Sequence, residues 1–291
     1  NEIKNQNIEQ NEWSPQIKLG FSFNIPEDYT TIQGGIDASV EGDTVLISQG
    51  TYFENLVLNK EITLASYALL DDLGSDMIEI GIPFSDPIAE GKTIEDAHHK
   101  SLENGFNYDD LFKITRKFKD KSNTPIIAMG YTNSFINPSP EDFSKNLALA
   151  NFDGILVVDL PYQEKEILEC YKKNNLEFIQ LIAPTSKNKT ISESIKNDPS
   201  LIYYITQRGV TGLNNIDFGE VILNLKNIRT ITDTPIITGF GIRKPDQVRR
   251  FKEYTDGIVV GSFLIEKFLS TDPLREISSS IKPLIDELKN E

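Results

Sequence analysis

Cysteine is nearly absent from this chain: of 291 residues, only Cys170 carries a thiol. That excludes an intramolecular disulfide framework and a zinc ribbon, and it suits a reducing, cytoplasmic compartment. No apolar run approaches the roughly 18 residues needed to cross a bilayer. The opening residues lack the apolar centre of a signal peptide, so no membrane association is expected. Cationic side chains are also scarce, 29 Lys and Arg against 44 Asp and Glu, for a net charge of −15. This excludes a general polyanion binder and with it a nucleic-acid partner. An anionic substrate must therefore be captured by a local pocket without help from the overall field. No Walker loop or dinucleotide fingerprint follows a strand, since Gly239-Phe240-Gly241 lacks the third glycine. His98 and His99 are adjacent in a helical, polar stretch, share no helix face and have no Cys or third His beside them. No metal site and no cofactor are expected.

What is present is ordinary globular composition, 38% hydrophobic and 25% charged. Three zones read differently. Residues 1–23 are a polar lead-in rich in Asn, Gln and Glu. Residues 24–66 carry short strand-like runs at Thr44–Ser48, Leu56–Leu58 and Ile62–Leu64, separated by turn signals such as Glu41-Gly42-Asp43. From Tyr67 to Glu291 the rhythm changes.

In that third zone apolar runs recur at 77–81, 125–130, 154–159, 178–183, 201–206, 235–239 and 257–261. Stretches of helical period lie between them, as in Glu164–Asn174 and Asp246–Tyr254. Strands apolar on both faces, alternating with helices, imply a parallel sheet covered by helices. Seven such units in a row favour a (β/α)8 TIM barrel of the α/β class over an open sheet. The count is one short, so the first β/α unit is atypical or missing, preceded by a short β-rich segment. Cys170 falls in one of the helices with no base beside it, which points to packing rather than nucleophilic chemistry. Lys113, Arg116, Lys117 and Lys119 read as a solvated helix face.

Barrel chemistry sits at the C-terminal ends of the strands. There, Ile78-Glu79-Ile80-Gly81 places a carboxylate inside an apolar strand, which costs several kcal/mol unless the group is paired or its pKa rises. Glu79 is either a structural carboxylate bonded to a loop or a general acid/base tuned by burial. Glycines cluster after the last three strands, at Gly209 and Gly212, Gly239 and Gly241, and Gly261 before Ser262. Each could be a tight βα turn. Together they favour backbone N–H groups converging on a phosphate, with a short helix beginning at Ser262.

The motifs of residues 67–291 resemble the tryptophan synthase alpha subunit family. They are IEIGIPFSDPIAEG at 78–91, MGYTNSFIN at 129–137, DGILVVDLP at 153–161, LIAPTS at 181–186, RGVTG at 208–212, GFGI at 239–242 and DGIVVGS at 256–262. The resemblance implies a lyase of tryptophan biosynthesis that cleaves indole-3-glycerol phosphate to indole and glyceraldehyde 3-phosphate, partnered by a beta subunit in an alpha2beta2 complex. By resemblance Glu79 is the general acid/base, and Glu90 takes the place of a family aspartate, longer by one methylene or roughly 1.5 Å, enough to alter a near-attack geometry. Tyr203 matches an active-site tyrosine. Met129 and Tyr131 match the indole-facing wall, with Thr211 and Phe240 beside the substrate. Gly212, Gly241, Gly261 and Ser262 match the phosphate positions. Where the family usually reads Ser-Arg-Ser/Thr-Gly, this chain has Thr206-Gln207-Arg208-Gly209, which moves the arginine by one.

The family's usual first strand and full first helix have no recognisable counterpart here. The motifs at Asp28–Gln33, Glu41–Ser48, Gly50–Asn55 and Ile62–Ser66 instead resemble the first rung of a pectin-lyase-type right-handed β-helix. One rung cannot bury its own face, because an independent solenoid needs about three repeats. Residues 24–66 are thus not independently stable, and 62–65 are the expected occupant of the vacant first-strand position, with 66–73 as an abbreviated crossover. The rival to an active lyase is a chimaeric or catalytically impaired barrel that serves only as a partner-binding or inert domain.

Overall fold

The computed structural model describes residues 22–25, 44–47, 67–206, 217–239, 241–268 and 273–289, and the chain divides into two compact units, 1–58 and 59–291. In the first unit, β1 (Ser22–Ile25) and β2 (Thr44–Ile47) pair in parallel, Ser22 opposite Thr44 and Ile25 opposite Ile47. β2 falls within the Thr44–Ser48 run of the sequence. The strand-like runs at 56–58 and 62–64 lie outside the described residues, as does the proposed first barrel strand at 62–65.

The second unit holds all seven predicted strands: β3 (Ile78–Gly81), β4 (Ile126–Gly130), β5 (Gly154–Val157), β6 (Glu177–Ile182), β7 (Leu201–Ile205), β8 (Ile236–Gly239) and β9 (Gly257–Val259). They form one parallel sheet in strict sequence order, each strand hydrogen-bonded to the next. A doubly wound sheet would reverse its order at a switch point. An unbroken sequential order with intervening helices is that of a TIM barrel. Among the described residues no strand pairs with the outer edge of β3 or of β9. Ahead of β3, residues 67–72 are helical, in the place of the expected short crossover.

Alternation along the strands sorts side chains into two layers. Ile126 and Ala128 of β4, Ile155 and Val157 of β5, Phe178 and Ile182 of β6, and Ile202 and Tyr204 of β7 face the helices and belong to the large outer core. Ile127, Leu156, Ile179 and Tyr203 face inward, with Met129, Leu181, Ile237 and Val259 packed on them. The covering helices are built to match. Helix Tyr108–Lys119 buries Leu111, Phe112, Ile114, Thr115 and Phe118 at helical spacing. Its Asn107 side chain caps the Asp110 N–H at 2.9 Å, and its acidic first turn and basic last turn complement the helix dipole. Lys113, Arg116 and Lys117 are exposed as expected, but Lys119 is not part of that solvated face. Its Nζ donates to the Asp153 carboxylate at 3.0 Å and to the Thr124 carbonyl at 3.2 Å.

A device repeated at the N-terminal end of the sheet explains the two Asp-Gly-Ile motifs. Asp153, just before β5, accepts the first amide of the neighbouring strand, Ile126 N–H, at 2.7 Å, while Lys119 holds the same oxygen. Asp256, just before β9, accepts Ile236 N–H at 2.6 Å while paired with Arg229. The following glycines make room for inward isoleucines. A Cβ on Gly154 would lie 3.0 Å from Ile127 Cδ1 and 2.7 Å from the Glu177 carbonyl, and one on Gly257 2.9 Å from Ile237 Cγ2. Cys170 is half-buried, its thiol bonded to Glu141 and to the Glu166 carbonyl, each at 3.3 Å, and burial and that carboxylate raise its pKa. This is a packing cysteine.

Candidate active site

On β3 the alternation that sends Ile78 and Ile80 outward sends Glu79 inward, paired in register with Ile127. Its carboxyl thus enters a layer otherwise made of Ile, Leu, Val, Met and Tyr. Burial, reinforced by the charge of Glu90, pushes its pKa up to about 7. Glu90 is itself buried, 9% exposed, and burial likewise pushes it up to about 7. Among the described residues neither carboxylate has a cationic partner within salt-bridge distance.

The loop 82–90 brings Glu90 to Glu79. It leaves β3 with Ile82 N–H donating to the Met129 carbonyl at 2.8 Å. Phe84 stacks on Tyr131 with ring centroids 5.0 Å apart, and the Tyr131 hydroxyl accepts the Ala89 N–H at 3.0 Å. Tyr131 is 2% exposed, and burial pushes its phenol up to about 12, so it is a neutral anchor. Two turn bonds, Ile88 N–H to Asp86 and Glu90 N–H to Pro87, fold the tip before helix Lys92–Glu103 begins.

Tyr203 stands on the inner face of β7, its pKa raised by burial and then by Glu79 and Glu90. Its ring leans along the strand direction until its hydroxyl lies over Gly239. A Cβ there would collide with Tyr203 Oη and lie 2.9 Å from Val259 Cβ. Gly239, one of the clustered glycines, is therefore explained by packing. The Thr206 hydroxyl and N–H both bind the Gly239 carbonyl, at 2.9 and 3.1 Å.

Glu79, Glu90, Met129, Tyr131 and Tyr203 all line one cavity of about 660 Å³, and so do Gly241, Gly261 and Ser262 on its other side. Gly241 has φ +75°, a left-handed conformation that favours glycine. Nothing lies within 4 Å of where a Cβ on Gly261 would sit, so the backbone there is open. Ser262 begins helix Ser262–Phe268, as the sequence suggested. Arg243 borders the same cavity, but its guanidinium is tied in a two-pronged pair to Glu266 at 2.5 and 2.7 Å. Eight of the eleven predicted site residues are thus brought together. The other three, Thr211, Gly212 and Phe240, lie outside the described residues, as does the shifted Arg208.

Two buried carboxylates without cations among the described residues, beside a tyrosine and a glycine-lined rim at the C-terminal ends of barrel strands, narrow the reading to an acid/base enzyme. Comparison with known proteins decides the family. The profile described as tryptophan synthase alpha chain matches residues 53–289. The chain belongs to the tryptophan synthase alpha chain family. The tryptophan synthase alpha chain of Staphylococcus carnosus is 34% identical over 235 residues, covering 79% of this chain and 94% of that one. That of Cyanidium caldarium is 36% identical over 229 residues, covering 77% and 83%. Among solved structures, tryptophan synthase subunit alpha from Legionella pneumophila superposes with a TM-score of 0.73 at 27% identity, covering 79% and 88%. A chain from work on the tryptophan synthase a2b2 complex of Pyrococcus furiosus gives 0.73 at 30% identity, covering 79% and 94%. The family match begins at residue 53, upstream of the motifs that carry the resemblance.

Sequence reasoning on this family member missed what holds the loop. His98 is buried, 9% exposed, although it stands in a stretch that reads as polar. The available signal was the helical stripe Ile94, Ala97, His98 and Ser101, all of which face the cavity. Phe84 and Ala89 were likewise passed over, because a loop contact across 42 residues leaves no periodic trace.

Proposed function

We propose that Glu79 and Glu90 carry out the retro-aldol cleavage of indole-3-glycerol phosphate to indole and glyceraldehyde 3-phosphate. The bond that breaks joins indole C3 to the hydroxyl-bearing carbon of the side chain. That hydroxyl loses its proton as the carbon becomes an aldehyde, and C3 gains one. Glu79, inward on β3, takes the hydroxyl proton and delivers a proton to C3. Glu90, on the loop, accepts the ring N–H as positive charge develops there. Met129 and Tyr131 form the apolar wall for the indole ring, and by the family resemblance Thr211 and Phe240 are further substrate-binding residues. Tyr203 borders the reacting carbon. The phosphate lies against main chain at Gly212, Gly241, Gly261 and Ser262, which suits an acidic protein whose nearby Arg243 is already paired with Glu266.

The observation that carries this reading is a pair of buried carboxylates in one apolar cavity with no cation among the described residues to hold them ionised, an environment that pushes both up to about 7. Desolvation of this kind is how a carboxyl becomes competent to exchange protons near neutral pH. Indole release from indole-3-glycerol phosphate, with and without a beta subunit and beside a Glu79→Gln control, is the test. Release that survives the substitution sinks the assignment.

A beta subunit in an alpha2beta2 assembly is the partner. The Pyrococcus furiosus chain comes from such a complex. Ile88, 80% exposed and two residues from Glu90, offers an apolar contact beside the site. Among the described residues no helix is long and apolar enough to cross a membrane, and we place the enzyme in the cytoplasm with the biosynthetic substrate it uses. We read residues 1–23 as a lead-in, 24–66 as a β-helix-like rung and 67–291 as the barrel. The parallel pairing of Asn24 with Leu46, 22 residues on, supports the rung, because a β-helix stacks successive strands at such offsets.

A further inference from the structure

The loop 82–90 is held on one side by β4, through Met129 and Tyr131. On the other side it is held by two adjacent side chains of the helix that follows it. His98 Nδ1 accepts the Phe84 N–H at 2.9 Å, and His99 Nε2 lies 3.1 Å from the Ser85 carbonyl. Side chains of neighbouring helix residues diverge by about 100°, yet these two converge on consecutive residues of one loop. We propose that His98 and His99 are positioning residues that clamp the Phe84–Ser85 backbone and thereby set Glu90 against Glu79, an inference that rests on the lyase reading above.

The two histidines do opposite work. His98 accepts a hydrogen bond, so its Nδ1 must keep its lone pair and its proton must sit on Nε2. His99 meets a carbonyl, so its Nε2 must carry a proton and donate it. Burial, then the neighbouring His99, lowers the pKa of His98, in keeping with the neutral form its bond requires. Between the clamp and Glu90 lie Pro87, which restricts the chain, the 2.8 Å Ile88 to Asp86 turn, and the Ala89 tie to Tyr131. A shift at Phe84 therefore passes along a short, stiff segment. Phe84 also stacks on Tyr131, the residue whose hydroxyl fixes Ala89, so both ends of the loop move together.

Amide side chains separate this role from simple packing. Asn places its carbonyl oxygen the same number of bonds from Cβ as His Nδ1, and Gln places its NH2 where His carries Nε2. The test is indole release together with hydrogen–deuterium exchange of peptides covering 82–91, on the full chain, for His98→Ala, His98→Asn, His98→Gln, His99→Ala and His99→Gln. His98→Ala is expected to lower kcat about tenfold with KM changed less than about threefold, because a small misplacement of a reacting group is felt in turnover. Exchange across 82–91 should rise with it. His98→Asn should recover both readouts, and His98→Gln should not. For His99, Gln should recover what Ala loses, with an effect on kcat of about threefold. Wild-type kcat and exchange in His98→Ala would overturn the clamp, as would a folded His98→Asn no better than alanine. If His98→Ala fails to fold, the half-exposed His99 pair decides: no gain from Gln over Ala overturns the proposal. Absence of indole release in the wild-type chain would count against the lyase reading alone, since the exchange pattern still reports on the clamp.

Discussion

The two ends of the barrel strands use carboxylates in opposite ways. At the N-terminal end, Asp153 and Asp256 each accept a strand's first amide and each face a cation, Lys119 or Arg229. By contrast, Glu79, on the inner face of β3, and Glu90, in the loop past that strand's C-terminal end, have neither a cation nor a backbone donor among the described residues, and burial drives both to about 7. The side-chain chemistry is the same at both ends. What differs is whether the fold supplies compensation. A carboxylate supplied with a donor and a cation pins strands, whereas an uncompensated one costs stability and gains the ability to trade protons.

The largest effect should come from Glu79→Gln. Loss of an acid/base group removes about 10²–10⁴ in rate, so kcat for indole release should fall by that much with KM little changed. Stability should move the other way. The folded pKa of about 7 lies above the ordinary 4.5, so between those values the folded state binds more protons than the unfolded. The Glu79 contribution is thus fully present below about 4.5 and lost as pH rises through about 7. A glutamine never ionises. The variant should therefore match wild type near pH 4.5 and exceed it at pH 8, by up to about 3 kcal/mol, read from denaturant unfolding at the two pH values. Equal stability at pH 8 would remove the claim that this end is uncompensated.

A second effect follows from the same values without any substitution. Glu90 must begin the reaction ionised to accept the ring N–H, so kcat/KM should climb as pH rises toward about 7 and fall again as Glu79 loses the proton it delivers to C3, while the stability contributed by Glu79 and Glu90 falls as pH rises toward about 7. A pH–rate profile beside a pH–melting profile checks this. Activity already at its maximum at pH 5 would mean that the site holds Glu90 ionised by a group outside the cavity described.

Much of this was legible in sequence, and the boundary is physical. The seven strands were visible because residues apolar on both faces leave an unbroken run, and Glu79 was visible because it interrupts one. The Asp-Gly-Ile motifs were visible as words, but not their meaning, since the amide each aspartate caps lies 20 or 27 residues earlier on another strand. His98 was hidden for a different reason. Its neighbours in sequence are polar, and only the helix's return against the loop buries it. Gly239 read as part of a phosphate cluster, and its constraint proved to be the Tyr203 hydroxyl on the adjacent strand.

Gly239→Ala tests that constraint with a smaller effect. The added methyl would collide with Tyr203 Oη and lie 2.9 Å from Val259 Cβ, and neither is the free end of a flexible chain. Overpacking of this kind costs about 1–3 kcal/mol, and a displaced Tyr203 should lower kcat about tenfold. Adding Tyr203→Phe, which removes the clashing oxygen, should restore part of the stability. No recovery would place the strain at Val259 instead.

The smallest effects are expected at the N-terminal end, where the comparison is most exposed to failure. Asp153→Asn keeps an oxygen to accept the Ile126 amide but loses the charge that Lys119 meets. A charge-assisted bond is worth about 1 kcal/mol more than a neutral one. The Asp153 side chain is 40% exposed, so solvent screens part of that, and the loss should not exceed about 1 kcal/mol. Asp256→Asn should behave alike, its side chain being 49% exposed. The two changes share no partner and sit on strands that are not neighbours, so the double variant should lose the sum. In neither should kcat change by more than about twofold, because neither touches the reacting end. Asp256 is the sharper case: it borders the far side of the same cavity that holds Glu79. A fall in kcat confined to Asp256→Asn would show that the cavity transmits from its floor to its mouth, and that the strand ends are divided by partner supply rather than by position.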